Sequence, residues 1–381
     1  MKLTHACAAL FFLLVSLPGC AFFQRGGGEI RLGVIAMLSG ENAANGQSMA
    51  DAVRLAVKNA GEDGAIRVGR KNRPVRVFIE DDGNSPEGAM NAARKLIYKD
   101  GVAAIIGPQF SINAIPVAKL AEREKILMIC PLSTNPETTA GKRFVFRIPY
   151  LDTFQGKVIA RFAREGLAAR TAAVLYDVAG VYNRTLAEVF KKEFEDHGGK
   201  VVSFETYTTD QNTNFAPQLG RIAGAAPDVL FLPNYQQDVL SQARQAKEAG
   251  IRSVLMGGDG WDDSSLAVNP DFENSYLTRH WHPEAANAEA RSFIGEYQEV
   301  YGRMPDDVAG LTYDAAGILF QAMKKAGKID PESVQKKLYS LGPYRGISGT
   351  IQYTETGDPL KSAIVVRLKD KRSSVYGIVE P

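Results

Sequence analysis

Three cysteines, four histidines and two tryptophans are all that 381 residues hold of those types, too little for a disulfide-stapled scaffold. The histidines offer no metal-site spacing: His280 and His282 flank Trp281 with no third ligand in view, so packing or exposure is the plainer role. Lysines and arginines number 45 against 43 aspartates and glutamates, a formal charge of +2. No basic field argues for nucleic acid, and no long one-signed block suggests disorder. Enzyme signatures are missing as well: no P-loop, no dinucleotide-binding glycine fingerprint after the first strand, no zinc-protease helix motif. Ser333 and Lys336 have the serine-lysine spacing of some penicillin-interacting enzymes without the companion motifs. The acidic pairs Asp81-Asp82 and Asp262-Asp263 lack a third ligand and read as solvated loops. No catalytic residue, metal or cofactor is expected, which leaves a small molecule or another protein as partner.

The start of the chain is informative. Lys2 precedes an apolar run over 6–17 that is shorter than the roughly 20 residues a membrane-spanning helix needs and is closed by Pro18-Gly19. This is the pattern of a signal peptide, so an exported protein is expected. Leu17-Pro18-Gly19-Cys20 resembles a bacterial lipobox, with Pro18 an unusual occupant; the alternative is an ordinary signal peptide with a chance cysteine. The resemblance implies acylation of Cys20 and a lipid anchor facing the periplasm or cell exterior. Residues 21–28, ending in three glycines, read as a flexible tether. With Cys7 removed and Cys20 acylated, only Cys130 remains, and stability must come from core burial, which this length supplies as two domains.

Beyond the tether, short β-branched runs alternate with longer amphipathic ones. Strands are expected over 30–36, 75–80, 102–106, 126–130 and 144–148, with helices over 46–59, 86–98 and 113–124. A second series follows: strands over 171–176, 201–204, 229–232 and 254–256, helices over 185–196, 215–223 and 238–249. Continuously apolar strands between helices indicate parallel sheets covered on both faces, hence an α/β protein of two doubly wound lobes. Residues 285–301, 308–326 and 331–339 read as helices, and 348–353 and 363–368 as a hairpin turning at Glu355-Thr356-Gly357-Asp358. A chain that revisits both lobes forms a hinge of several crossings. The expected division is 1–20 signal peptide, 21–28 tether, 29–147 with 283–343 as one lobe, and 148–282 with 344–381 as the other.

Several segments, in order, carry a resemblance: Leu38-Ser39-Gly40 closing 33–40, Ile106-Gly107-Pro108-Gln109-Phe110-Ser111, Pro131-Leu132-Ser133-Thr134-Asn135-Pro136, Tyr176-Asp177 with Tyr182, Asn234-Tyr235, Gly257-Gly258-Asp259-Gly260, Thr312-Tyr313-Asp314-Ala315, and 349–358. Over essentially all of the mature chain these resemble the type I periplasmic binding proteins, in particular the leucine/isoleucine/valine-binding branch. The resemblance implies a monomeric receptor whose two lobes close on a small amino acid and present it to an ABC permease. A sensor using the same clamp, or a receptor for a small amide or aromatic acid, remains the alternative.

Most of these segments sit after a strand and before a helix, at the carboxyl edge where α/β sheets bind ligands. Free N–H groups and partial positive charge at a helix start suit a carboxylate. Ser111 and Thr134 either cap helices or, as the resemblance implies, donate to that carboxylate, with Ser133 and the Leu132 backbone nearby. Asp259, between glycines, is either a turn residue or the acceptor of the ligand's ammonium; the family branch often has glutamate there. Tyr182 and Tyr235 resemble clamp residues and are otherwise ordinary packing. Phe110, Leu132 and Trp261 either line a pocket for an apolar side chain or belong to the core.

Overall fold

The computed structural model describes residues 28–40, 42–208 and 214–381. The segments expected as signal peptide, lipobox with Cys20 and nearly all of the tether lie outside the described residues. Among the described residues no helix is long and apolar enough to cross a membrane.

The first sheet takes its strands from β1 (Ile30–Ala36), β2 (Ala65–Val68), β3 (Lys71–Asp81), β4 (Ala104–Ile106), β5 (Leu127–Cys130) and β6 (Val145–Arg147), interleaved with α1 (Ala43–Ala60), α2 (Pro86–Arg94) and α3 (Ser111–Glu124). Its order is β2-β3-β1-β4-β5-β6, parallel except for the β2–β3 hairpin. Strands β4, β5 and β6 are buried at every position, as two covered faces require. The hairpin, at an edge, carries charges in its place: Arg67, Lys71, Arg73 and Arg76.

The second sheet begins after α4 (Asp152–Arg161). It is built from β7 (Thr171–Asp177), β8 (Lys200–Tyr207), β9 (Val229–Leu232), β10 (Val254–Gly257) and β11 (Ser275–Arg279), with α5 (Val181–Asp196), α6 (Ala216–Ala225), α7 (Gln236–Glu248) and the short α8 (Asp263–Leu266) between them. The chain then returns to the first lobe as α9 (Ala288–Tyr301), α10 (Asp307–Ala326) and α11 (Pro331–Tyr339), whose apolar faces share one core with α1 and the first sheet. Capping fixes where these helices start. Asn287, Asp306 and Asp330 accept from Ala290 N (2.7 Å), Ala309 N (2.8 Å) and Ser333 N (2.9 Å).

The C-terminal end departs from expectation. The proposed hairpin does not form: β13 (Gly349–Ile351) pairs with β12 (Tyr344–Gly346), while β14 (Ala363–Lys369) lies antiparallel between β11 and the final strand β15 (Arg372–Val379). The second sheet is therefore β15-β14-β11-β10-β9-β7-β8. Ile347, Ile351 and Tyr353, assigned in the sequence to the second lobe, pack in the first core. The third passage between sheets thus lies after Tyr353 rather than at 344. The turn pattern at 355–358 misled because it belongs to a loop that wraps β6: Arg147 N donates to Gly357 O at 2.9 Å, and Tyr353 Oη donates to Arg147 O at 2.9 Å.

Candidate ligand-binding cleft

In the first sheet the chain leaves β1 for β3 on one side and takes β4 on the other; in the second it leaves β7 for β8 and places β9 opposite. Each sheet thus has a switch point, and the carboxyl edges there open a crevice. The cleft between the sheets, about 260 Å³, is lined at these edges. Residues after β4 and β5 contribute Phe110, Ser111, Leu132 and Thr134, and those after β7, β9 and β10 contribute Tyr182, Tyr235 and Asp259. Seven expected residues are thereby brought together.

One expectation is corrected. Ser133 does not line the cleft: its hydroxyl is buried one layer behind, bonded to Ser111 Oγ (3.0 Å) and Thr138 Oγ1 (2.7 Å). Adjacent residues of an extended segment face opposite ways, so Thr134 and Ser133 cannot both face the ligand side. Trp261 touches the cleft wall, yet its indole is core, donating from Nε1 to Leu232 O at 3.1 Å and meeting Phe272 edge-on.

On the first-lobe side, α3 begins at Ser111 with no side-chain cap, so Ser111 is not the capping residue that its position also allowed. Beneath it the loop carrying Thr134 is held by Arg147, which is fully buried. Its guanidinium donates to Ser133 O (2.8 Å), Asn135 O (2.8 Å), Thr139 Oγ1 (2.6 Å) and Asp358 Oδ1 (2.6 Å). Nothing in the local sequence marks this arginine, because its partners come from the loop before it and from a segment more than 200 residues on. Asp152, also fully buried, stands near, and burial pushes its carboxyl well above the usual range.

On the second-lobe side, Asp259 accepts from Tyr182 Oη (2.9 Å), Gln155 Nε2 (2.8 Å) and His280 Nε2 (2.9 Å). Burial alone would raise its pKa, but His280, Gln155 and Tyr182 more than offset this and hold the carboxyl below the usual aspartate range. Burial and the nearby Asp259 push the Tyr182 and Tyr235 phenols well up, so both stay protonated. The rings stack at 5.0 Å. Gly258 makes this approach possible: a Cβ there would come within 2.6 Å of Tyr182 Oη and 3.0 Å of Gln155 Nε2.

Sequence reasoning missed Gln155, His280 and Arg279. Arg279 lines the cleft and donates to Trp261 O (2.8 Å), with Asp263 at 3.3 Å and, from the other lobe, Asp307 at 3.9 Å. Burial works against its charge, but Asp307, Asp263, Asp262 and Asp259 outweigh it and raise its pKa further. Asp82 and Asp263, expected in solvated loops, are buried: Asp82 accepts from Asn84 N (2.8 Å) and Asn113 Nδ2 (3.3 Å), and Asp263 faces Arg279.

Among the described residues the lobes touch across the cleft at several places. Gln237 Nε2 donates to Asn42 Oδ1 at 3.0 Å, the Phe110 and Tyr235 rings meet at 4.4 Å, Asn135 Nδ2 donates to Val181 O (3.1 Å) and Thr185 Oγ1 (3.0 Å), and Arg279 faces Asp307.

Two wound sheets, each with a switch point at a polar cleft between them, define a two-lobed solute-binding protein. The periplasmic binding protein model matches residues 29–373, and the chain belongs to that family; it is a binding protein and not an enzyme, of a family whose members are exported. The "Leucine-, isoleucine-, valine-, threonine-, and alanine-binding protein" of Pseudomonas aeruginosa is 26% identical over 350 residues, 91% of each chain. The "Leu/Ile/Val-binding protein homolog 3" of Brucella melitensis is 26% identical over 334 residues, 87% of this chain and 88% of the relative. Among solved structures, a leucine-binding protein of Thermotoga maritima superposes with a TM-score of 0.86 at 30% identity, covering 92% of this chain and 99% of its own.

Proposed function

We propose that the chain captures a small α-amino acid with an apolar side chain and delivers it to an ABC-type importer, acting as a monomer held at the membrane by acyl chains on Cys20. The observation that carries this reading is the polarity of the cleft. An uncapped helix start with Ser111 and Thr134 on one lobe faces an ionised Asp259 on the other. An α-carboxylate fits the first and an α-ammonium the second. The rings of Phe110, Tyr182 and Tyr235 together with Leu132 offer apolar contact to a side chain. Among the relatives, the Thermotoga maritima protein is named for leucine and the Pseudomonas aeruginosa protein for leucine, isoleucine, valine, threonine and alanine, which supports an amino-acid ligand.

Calorimetric titration of wild type and Asp259→Asn with leucine, isoleucine, valine and alanine, each beside its deaminated acid, tests the ligand class. Removing one partner of a buried charge pair costs about 2–5 kcal/mol, or roughly 30-fold to several thousand-fold in affinity. The Asn variant is expected to lose affinity for the amino acid by that factor and to discriminate less against the deaminated acid. No binding of any amino acid, or unchanged discrimination in a folded variant, overturns the assignment. The anchor is read separately by the mass of the native N-terminus: a diacylated or triacylated Cys20 supports it, and an unmodified terminus removes it.

A further inference from the structure

We infer that His280 is a positioning residue of the cleft: as a neutral imidazole it donates from Nε2 to Asp259, fixes the carboxylate, and leaves its negative charge for a cationic group of the ligand. The inference deepens the amino-acid reading and rests on it for the identity of that cation.

The geometry supplies the protonation state. Nε2 lies 2.9 Å from Asp259 Oδ2, and the imidazole is wholly buried. An ionised carboxylate only accepts, so Nε2 must carry a proton. Nδ1 is buried with no hydrogen-bond partner among the described residues. A second proton there would be a buried donor with nothing to receive it, a cost of about 1–3 kcal/mol or more for a charged group. The ring instead lies against Tyr150, 4.1 Å between centroids, in the segment joining the two lobes.

The remaining partners of Asp259 are neutral too. Gln155 Nε2 and Tyr182 Oη both bond Oδ1, and Gln155 is itself fixed by a second bond to Thr278 Oγ1 at 2.7 Å. Arg279 is close, but it meets Asp259 only at the backbone oxygen (3.5 Å), and its charge is balanced by Asp263 and Asp307. Asp259 therefore receives three hydrogen bonds and no formal positive charge through them. Of about four acceptor positions on a carboxylate, one is left, on Oδ2. A histidinium in the same place would already neutralise Asp259 and compete with a ligand ammonium. A neutral donor holds the carboxylate by its hydrogen bond without competing.

Two measurements decide the matter. Long-range proton–nitrogen correlation on the ligand-free protein at pH 7 is expected to show His280 as the neutral Nε2–H tautomer, with its Hε2 resonance shifted in Asp259→Asn. An imidazolium, or the Nδ1–H tautomer, overturns the inference whether or not any amino acid binds. Titration with leucine and 4-methylpentanoate then compares His280→Gln, which keeps a donor near the Nε2 position, with His280→Leu, which does not. Loss of a hydrogen bond to a charged group corresponds to about 10- to 100-fold. His280→Leu should lose that factor for leucine and little for 4-methylpentanoate, and His280→Gln should keep most of the discrimination. A purely structural role would weaken both ligands alike. Equal loss for both, or no loss in folded His280→Leu, overturns the inference. If wild type binds neither leucine nor another amino acid, the amino-acid reading fails and the tautomer result stands by itself.

Discussion

Lys361 lies where the chain passes back to the second sheet, and it is almost entirely buried. Its ammonium donates to Ser348 Oγ (2.5 Å) and approaches Ile148 O (3.4 Å); Ser348 Oγ in turn donates to Asp314 Oδ2 (2.5 Å), which α10 supplies. The first and third passages between lobes are thus joined to the first lobe through one buried charge. Burial pushes the Lys361 pKa from 10.5 down to about 8, against the opposing pull of Asp314 and Asp307. Below pH 8 the folded and unfolded chains both hold the proton, and the full penalty of the buried charge is present. Between pH 8 and 10.5 the unfolded chain binds more protons than the folded one, so this residue's contribution to stability rises with pH. The melting temperature of wild type minus that of Lys361→Met should therefore increase from pH 8 to pH 10 in scanning calorimetry. A flat or falling difference would show that the lysine keeps its proton when folded. Residues of this kind were not legible in the sequence. Lys361, Arg147 and His280 act through partners 8 to more than 200 residues away, and each alone reads as surface charge or packing. Ser111, Thr134, Tyr182, Tyr235 and Asp259 were legible as a set because each follows a strand.

Among the elements, the parallel strands and the helices of the two wound units were readable because period and length both distinguish them: four to seven apolar residues for a strand, ten or more at helical spacing for a helix. Other elements escaped or were misplaced, three of them for a clear reason. Helix α4 was missed because Asp152 to Arg161 mixes Thr, Gly and β-branched residues with no cap to mark its start. β11 was missed because Ser, Thr and Arg interrupt its apolar run, although all five residues are buried. Thr278 and Arg279 tolerate burial because Gln155 Nε2 donates to Thr278 Oγ1 and Trp261 O accepts from Arg279. β14 was seen but given the wrong neighbour, since hairpin reasoning pairs consecutive runs and β14 instead pairs with β11 and β15. Even the loop acids follow this rule: Asp82 and Asp263 look like solvated turn residues until Asn113 and Arg279 are brought to them.

At the scale of the whole molecule the question is what holds the lobes together. Asn135 does not line the cleft, yet its amide donates twice to α5 across it, at 3.1 and 3.0 Å. Its Oδ1 accepts from Glu137 N within its own lobe, a contact that opening leaves in place. Asn135→Ala should therefore act chiefly on the closed state. Two hydrogen bonds at about 0.5–1.5 kcal/mol each shift the closing equilibrium by roughly 5- to 150-fold, and ligand affinity falls with it. Small-angle scattering should show the ligand-free variant more expanded than wild type, with saturating ligand returning both to one radius of gyration. Equal affinity and equal radii would remove this contact from the energetics of closure. The sequence by itself determined the wound α/β units and the strand-end positions that line the cleft, because hydrophobic period and strand-to-helix junctions are local properties. Only the tertiary structure decided which acids are buried, which arginine holds the Thr134 loop, which side of the Leu132 to Thr134 segment faces the cleft, and that a histidine stands behind Asp259. Those outcomes depend on groups far apart in the chain coming within hydrogen-bond distance, and a buried charge is defined by its neighbours rather than by its position in the sequence.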